Sequence, residues 1–136
     1  MKRIALVCLA CVVLGAASPA NGQSVSKCFR AGWLQGERAV KLTISGSKVS
    51  GTFIVEGGDE PSKEYKFTGT RRGSVLTVAF AGNKKPDVAP SEMKSLLWTL
   101  VRRRGQELLR IKFYGKNYET NKYESSFAYF EGCRPN

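Results

Sequence analysis

The sequence predicts an all-β protein, a small antiparallel up-and-down barrel of eight strands with one disulfide. Apolar and polar residues alternate with period two in one segment after another, as in half-buried strands. Short glycine-containing connections separate several of these segments, which is typical of antiparallel hairpins. Cys28 and Cys133 lie near the two ends of the expected mature chain, and closure of a barrel brings the last strand beside the first. A β-sandwich is the alternative architecture.

Residues 1–22 have the three parts of a secretory signal peptide. Lys2 and Arg3 come first, Ile4 to Leu14 is apolar, and small residues follow. The apolar run is shorter than the roughly 20 residues that a membrane-spanning helix needs. We therefore expect residues 23–136 to form a single β-barrel domain that is secreted or periplasmic and does not span a membrane.

Four cysteines become two when the leader is removed, because Cys8 and Cys11 lie within it. In an oxidising compartment, Cys28 and Cys133 are expected to form one disulfide. Two free, redox-active thiols are the alternative, but the mature chain has no CxxC pair to support them.

The chain is strongly basic, with 22 basic and 11 acidic residues and no histidine. Such a charge favours an anionic partner, which could be envelope polymer, lipid headgroups or an acidic protein, and secretion argues against a specific nucleic acid. Histidine is the commonest general base and metal ligand, and the familiar catalytic motifs do not occur in the sequence. We therefore expect no enzymatic activity, no catalytic residues, no metal and no cofactor.

The first expected strand is Cys28 to Leu34, and the most regular unit is the hairpin from Val40 to Val55. The two strands of this hairpin alternate apolar and polar residues on either side of the turn Gly46-Ser47-Lys48. Gly57 to Lys63 follows and is expected to be a loop, because it contains two glycines, an aspartate and a proline.

A second hairpin joins Glu64–Thr70 to Ser74–Ala81 through the turn Arg71-Arg72-Gly73. The second strand is apolar on nearly both faces, which indicates an oligomer contact or a covering element, so a homo-oligomer stays open. Gly82 to Pro90 is expected to be a loop because it carries two lysines and two prolines.

The stretch Ser91 to Arg104 fits two interpretations. Its leucines follow helical spacing, with a proline before the stretch and a glycine after it, so a barrel with a helix near 91–104 is one alternative. The β-favouring residues around Trp98 and the alternating partner segment Glu107 to Tyr114 favour a strand over 95–102 instead.

A polar loop, 115–125, and a last strand, 126–131, complete the meander. Alternate connections of a meander lie at the same end of the barrel. The connections after the second, fourth and sixth strands are tight, whereas those after the third, fifth and seventh are expected to be long. One end should therefore be closed by tight turns, and the other should form a mouth through which a barrel of this size can hold one small ligand.

The tight turns and the strand ends beside them carry six cations, which predicts a basic pole opposite the mouth. An ordinary solvated surface is the alternative interpretation. The residues of the basic pole are Lys48, Arg71, Arg72, Arg102, Arg103 and Arg104.

Short motifs occur along the mature chain in the order GW at 32–33, SGTF at 50–53, FTGT at 67–70, LTVAF at 76–80 and SSFAYFE at 125–131. In this order the chain resembles the avidin–streptavidin group of small calycin barrels. The resemblance implies a lipocalin-like or avidin-like barrel.

The biotin site of that family is mostly absent from this sequence. Phe53 stands where the family has a tyrosine, Val55 where it has a serine, and Phe80 where it has a tryptophan. Trp98 keeps a tryptophan, and Glu131 could stand for a late aspartate. Loss of several buried hydrogen bonds costs orders of magnitude in affinity, so we expect a more apolar or aromatic ligand than biotin.

The sequence therefore predicts a non-enzymatic binding protein that holds a small apolar or aromatic ligand in its barrel. Aromatic side chains that only fill the core are the simpler interpretation. A basic module that docks on anionic envelope material or an acidic partner protein, and a secreted enzyme inhibitor, are the alternative functions. The candidate lining residues are Trp33, Phe53, Val55, Phe67, Phe80, Trp98, Phe113, Tyr129 and Glu131.

Overall fold

A computed structural model describes residues 23–33, 36–82, 84–90 and 92–135, so the expected signal peptide lies outside the described residues. Eight antiparallel strands form one closed barrel in which each strand pairs with its neighbours in sequence and β8 returns to β1. The barrel prediction is confirmed, and the sandwich alternative is wrong. The strands are β1 Ser24–Trp33, β2 Gly36–Ser45, β3 Lys48–Gly57, β4 Glu60–Arg72, β5 Val75–Phe80, β6 Leu96–Arg103, β7 Gln106–Asn117 and β8 Lys122–Gly132.

The ambiguous stretch 91–104 contains strand β6, so the strand interpretation is confirmed and the helix alternative is wrong. Leu96, Trp98 and Leu100 are buried, whereas Leu97 is 62% exposed, which is the two-residue period of a strand. The helical spacing arose because residues four apart also share one face of a strand. The described residues include no helix that could cross a membrane.

Two of the three connections expected to be long are short hairpin turns. β3 turns into β4 at Gly58 and Asp59, so the segment 57–63 is largely strand rather than loop. Pro61 is tolerated there because the register shifts between Val55 and Gly57, and a β-bulge can accommodate a residue without an N–H donor. Similarly, β7 and β8 extend into the expected loop 115–125 and leave a four-residue connection.

The long connection between β5 and β6 folds against the barrel and fills the expected mouth. Val88 is buried in the core, and its carbonyl accepts a hydrogen bond from the Tyr114 amide of β7 (3.0 Å). The Lys85 ammonium donates to the carbonyls of Pro90 and Met93, the latter at 3.0 Å. These bonds hold the β5–β6 connection across the end of the barrel. The connection therefore closes the expected mouth as a plug instead of leaving it open.

The seam between β1 and β8 is the narrowest ladder of the barrel. Among the described residues, two pairs cross it, Phe29 with Gly132 and Arg30 with Glu131. The Cys28–Cys133 disulfide lies at its end, where the Cys133 amide also donates to the Cys28 carbonyl (2.9 Å). The predicted disulfide is therefore confirmed, and it fastens the two ends of the chain where the barrel closes.

Candidate functional site

Four of the candidate lining residues form one aromatic cluster in the barrel interior. Phe67 lies 5.0 Å from Trp98 between ring centroids, and Phe80 lies 5.9 Å from Phe67 and 6.2 Å from Trp98. The Phe53 ring is 6.2 Å from that of Phe80 and 6.3 Å from that of Trp98. Most of these pairs are edge-to-face, the geometry that ring quadrupoles favour. The centre of the barrel is thus filled by the protein's own rings.

Trp98 contains a polar group that this packing does not satisfy. Its side chain is 0% exposed, and its Nε1–H has no hydrogen-bond partner in the described part of the chain. An unsatisfied buried donor costs about 1–3 kcal/mol. An acceptor brought into the interior would recover this energy.

The other candidate residues lie at the mouth or outside the barrel. Phe113 packs on Trp33 with ring centroids 5.0 Å apart, and Trp33 remains 40% exposed. The Arg38 guanidinium lies 5.6 Å from the centre of the Trp33 ring. Val55 is half-buried beside the core. These residues frame the rim of the mouth.

Tyr129 and Glu131 lie on the outer face of β8, which corrects the expectation that they line the interior. Phe130, between them, is fully buried opposite Leu109. Sequence analysis missed Phe130 because Phe127-Ala128-Tyr129-Phe130 places aromatic residues on both faces of the strand. The buried face of its partner β7, which includes Leu109, fixes the correct register.

A cleft opens in the barrel wall where β5 and β6 part. The two strands are paired only as far as Val78 and Leu96, and the long connection spans the gap above them. The cleft has a volume of about 530 Å³, and the Phe80 ring in its wall belongs to the interior cluster. Its lining residues are Ala79, Phe80, Gly82, Lys85, Met93, Lys94 and Leu96. Sequence analysis did not predict Met93 and Leu96 as lining residues, because they lie in the stretch that fitted both a helix and a strand.

The basic pole lies at the opposite end, where the three tight turns are neighbours. The Arg71 amide donates to the Ser47 carbonyl, and the Leu100 amide donates to that of Ser74, both at 2.8 Å. All six pole cations are exposed, and in the described ranges none forms an ion pair. Glu107, which adjoins the pole, is paired with Lys27.

No group of three or more His, Cys, Asp or Glu side chains in the described ranges could hold a metal ion. No family model, curated protein or solved structure matches the chain. The closed antiparallel barrel agrees with a calycin-like fold at a coarse level. The narrower resemblance to the avidin group stays a prediction.

Proposed function

We propose that this is a non-enzymatic, secreted or periplasmic binding protein that takes a small apolar or aromatic ligand into the cleft between β5 and β6. The observation that carries the proposal is the contact between this cleft and the interior ring cluster through Phe80. Phe80, Met93 and Leu96 offer apolar surface, whose burial contributes about 25 cal/mol per Å². The Cys28–Cys133 disulfide supports an oxidising compartment.

The buried indole of Trp98 offers such a ligand a hydrogen-bond donor. Its ring centroid lies 6.2 Å from that of Phe80, which lines the cleft. A ligand that displaces the half-buried Phe80 ring would approach the Trp98 indole, whose Nε1–H has no partner among the described residues. An apolar molecule with one acceptor atom therefore fits better than a purely hydrocarbon one.

Filling the cleft should abolish this binding. Ala79 is exposed on its lining, so Ala79→Trp places a large side chain in the cleft without disturbing the core. We expect wild-type protein to bind the dye anilinonaphthalene sulfonate with a rise in dye emission and a concentration-dependent rise in melting temperature. Ala79→Trp should bind at least about tenfold more weakly, which corresponds to about 1.4 kcal/mol.

The matched control is Ser24→Trp, which adds the same side chain to an exposed position at the start of β1. It should leave dye binding unchanged. Equal dye affinity in the two variants, or no saturable binding by wild-type protein, would contradict the proposed site.

The basic pole supports a second candidate function, docking on anionic envelope material or an acidic partner protein. Its cations lie in three adjacent tight turns and at the strand ends beside them, and they lack ion pairs within the described residues. Neutralising four of them should lower the salt concentration at which the protein elutes from dextran sulfate, because fewer sulfates are contacted. The variant is Arg71→Gln, Arg72→Gln, Arg102→Gln and Arg104→Gln.

A control with the same loss of charge tests whether the location matters. It neutralises four exposed lysines elsewhere, namely Lys41, Lys66, Lys84 and Lys122. We expect the pole variant to elute at a clearly lower salt concentration than this control. Elution of both at the same salt concentration would mean that net charge alone governs retention.

A further inference from the structure

We propose that the outer face of strands β6 to β8 binds an extended acidic segment of a partner protein. The contact surface is a cation–aromatic strip that lies outside the cleft and shares Arg103 alone with the basic pole. It consists of Arg103, Arg110, Lys112, Phe127 and Tyr129.

The strip is built by cations that cover aromatic faces on β8. The Arg103 guanidinium lies 4.0 Å from the centre of the Tyr129 ring, and that of Arg110 lies 4.8 Å from the centre of Phe127. The Lys112 ammonium approaches the same Phe127 ring at 6.0 Å. Because β7 lies between β6 and β8, the Arg103 side chain crosses β7 to reach Tyr129.

These contacts fix the two guanidinium groups before any partner arrives. Cation–π attraction holds each arginine on its ring, which lowers the conformational entropy that binding would otherwise cost. Within the described ranges, neither Arg103 nor Arg110 has a hydrogen-bond or ion-pair partner. Their N–H edges are thus free to bind carboxylates in the bidentate geometry that suits guanidinium.

The spacing of the cations matches an extended peptide. Arg110 and Lys112 lie two residues apart on one face of β7, and a strand rises about 3.4 Å per residue. An extended segment with acidic residues at alternate positions repeats its carboxylates at the same distance of about 7 Å. By register, Glu131 is the one carboxylate on the outer face of β7 and β8 in the described residues.

Exposed apolar groups in the strip and beside it favour a protein over an anionic polysaccharide. Phe127 is 55% exposed and Leu97 is 62% exposed. Trp98 faces Ile111 across the ladder, so the preceding Leu97 lies beside Lys112. A polypeptide can bring apolar side chains between its carboxylates, whereas a polysaccharide brings hydroxyl groups that these surfaces cannot satisfy.

Binding of a synthetic peptide in which glutamate alternates with leucine and serine tests the proposal by fluorescence anisotropy. Arg110→Ala should weaken binding by about tenfold or more, because it removes the bidentate contact. Arg110→Lys keeps the charge but loses the planar guanidinium that makes two hydrogen bonds to one carboxylate, so it should still weaken binding severalfold. Phe127→Ser should weaken binding too, whereas Lys66→Ala, an exposed cation on β4, should change it by less than about twofold.

Several results would overturn the proposal. Equal weakening by Arg110→Ala and Lys66→Ala would reveal plain charge attraction, and full affinity in Phe127→Ser or Arg110→Lys would exclude the specific contacts. Tighter binding of polygalacturonate than of the peptide, with the same order of variants, would assign the strip to a polysaccharide. Absence of peptide binding by wild-type protein would also refute it. Unchanged thermal unfolding of Arg110→Lys shows that its loss of binding is not a loss of fold.

Discussion

Replacement of Gly69 by alanine is expected to lower the free energy of unfolding by about 3 kcal/mol or more. A Cβ atom at this position would lie 2.0 Å from the Thr77 carbonyl oxygen and 3.0 Å from the Val78 Cα. Both atoms belong to the backbone of β5, so no side-chain rotation can relieve the overlap. The ladder between β4 and β5 would have to separate.

The glycine is needed because the strands of a small barrel are strongly coiled. Gly69 faces Val49 on one side and Val78 on the other, on the inner face where neighbouring backbones come closest. Gly51 on β3 repeats the arrangement, since its Cβ would lie 2.2 Å from the Lys41 carbonyl oxygen and 2.6 Å from the Phe67 ring. Phe67 packs over the bare backbone of Gly51 and fills the space that a side chain would take.

Urea unfolding of Gly69→Ala beside Gly115→Ala measures this effect. Gly115 also lies within a strand, but no atom comes within 4 Å of its Cβ position. Gly115→Ala should therefore stay within about 1 kcal/mol of wild type, with a small gain from the lower entropy of the unfolded chain. If both variants lost a similar free energy of unfolding, the close approach of the β5 backbone would not be the reason for a glycine at position 69.

The strands were predictable wherever one face of the sequence is apolar and the other polar. The hairpin from Val40 to Val55 alternates in this way, and the apolar residues of its two strands lie opposite each other, for example Val40 opposite Phe53. The barrel and its disulfide followed from the same pattern together with the positions of Cys28 and Cys133. Both predictions rest on local periodicity and on the requirement that a meander closes.

The remaining features depend on contacts between distant segments, which local patterns do not encode. Val88 is buried because the plug bonds to Tyr114 on β7, although its own segment has the composition of a loop. The outer position of Tyr129 depends on its pairing with Arg110 across β7 and β8. The strip on this face was therefore not predictable, because its cations and rings come from different strands.

Removal of the disulfide by Cys28→Ser and Cys133→Ser is expected to lower the free energy of unfolding by about 4–5 kcal/mol. The bond joins residues separated by 105 positions, so it restricts almost the whole unfolded barrel domain. It also lies at the narrow β1–β8 seam, where Phe29 and Arg30 alone of the described β1 residues are paired with β8. Few hydrogen bonds remain there to compensate for its loss.

Urea unfolding with and without a reducing agent provides the measurement. Reductant should bring wild-type protein down to the stability of the double variant and should leave the variant unchanged. A loss below about 1 kcal/mol, or an equal effect of reductant on both proteins, would contradict a stabilising role for the bond.

The position of the disulfide also predicts which part of the barrel opens first. β1 is paired with β2 along its full length, from Ser24 to Trp33, so β1 should stay on the sheet when the seam separates. Amide hydrogen exchange of the double variant should therefore accelerate first at Arg30, whose amide faces β8 across the seam, while the β2–β3 hairpin keeps its protection. An opened seam turns β1 and β8 into free edges that can pair with another chain. For this reason the variant should also form larger species as its concentration rises, whereas the oxidised wild-type protein should not.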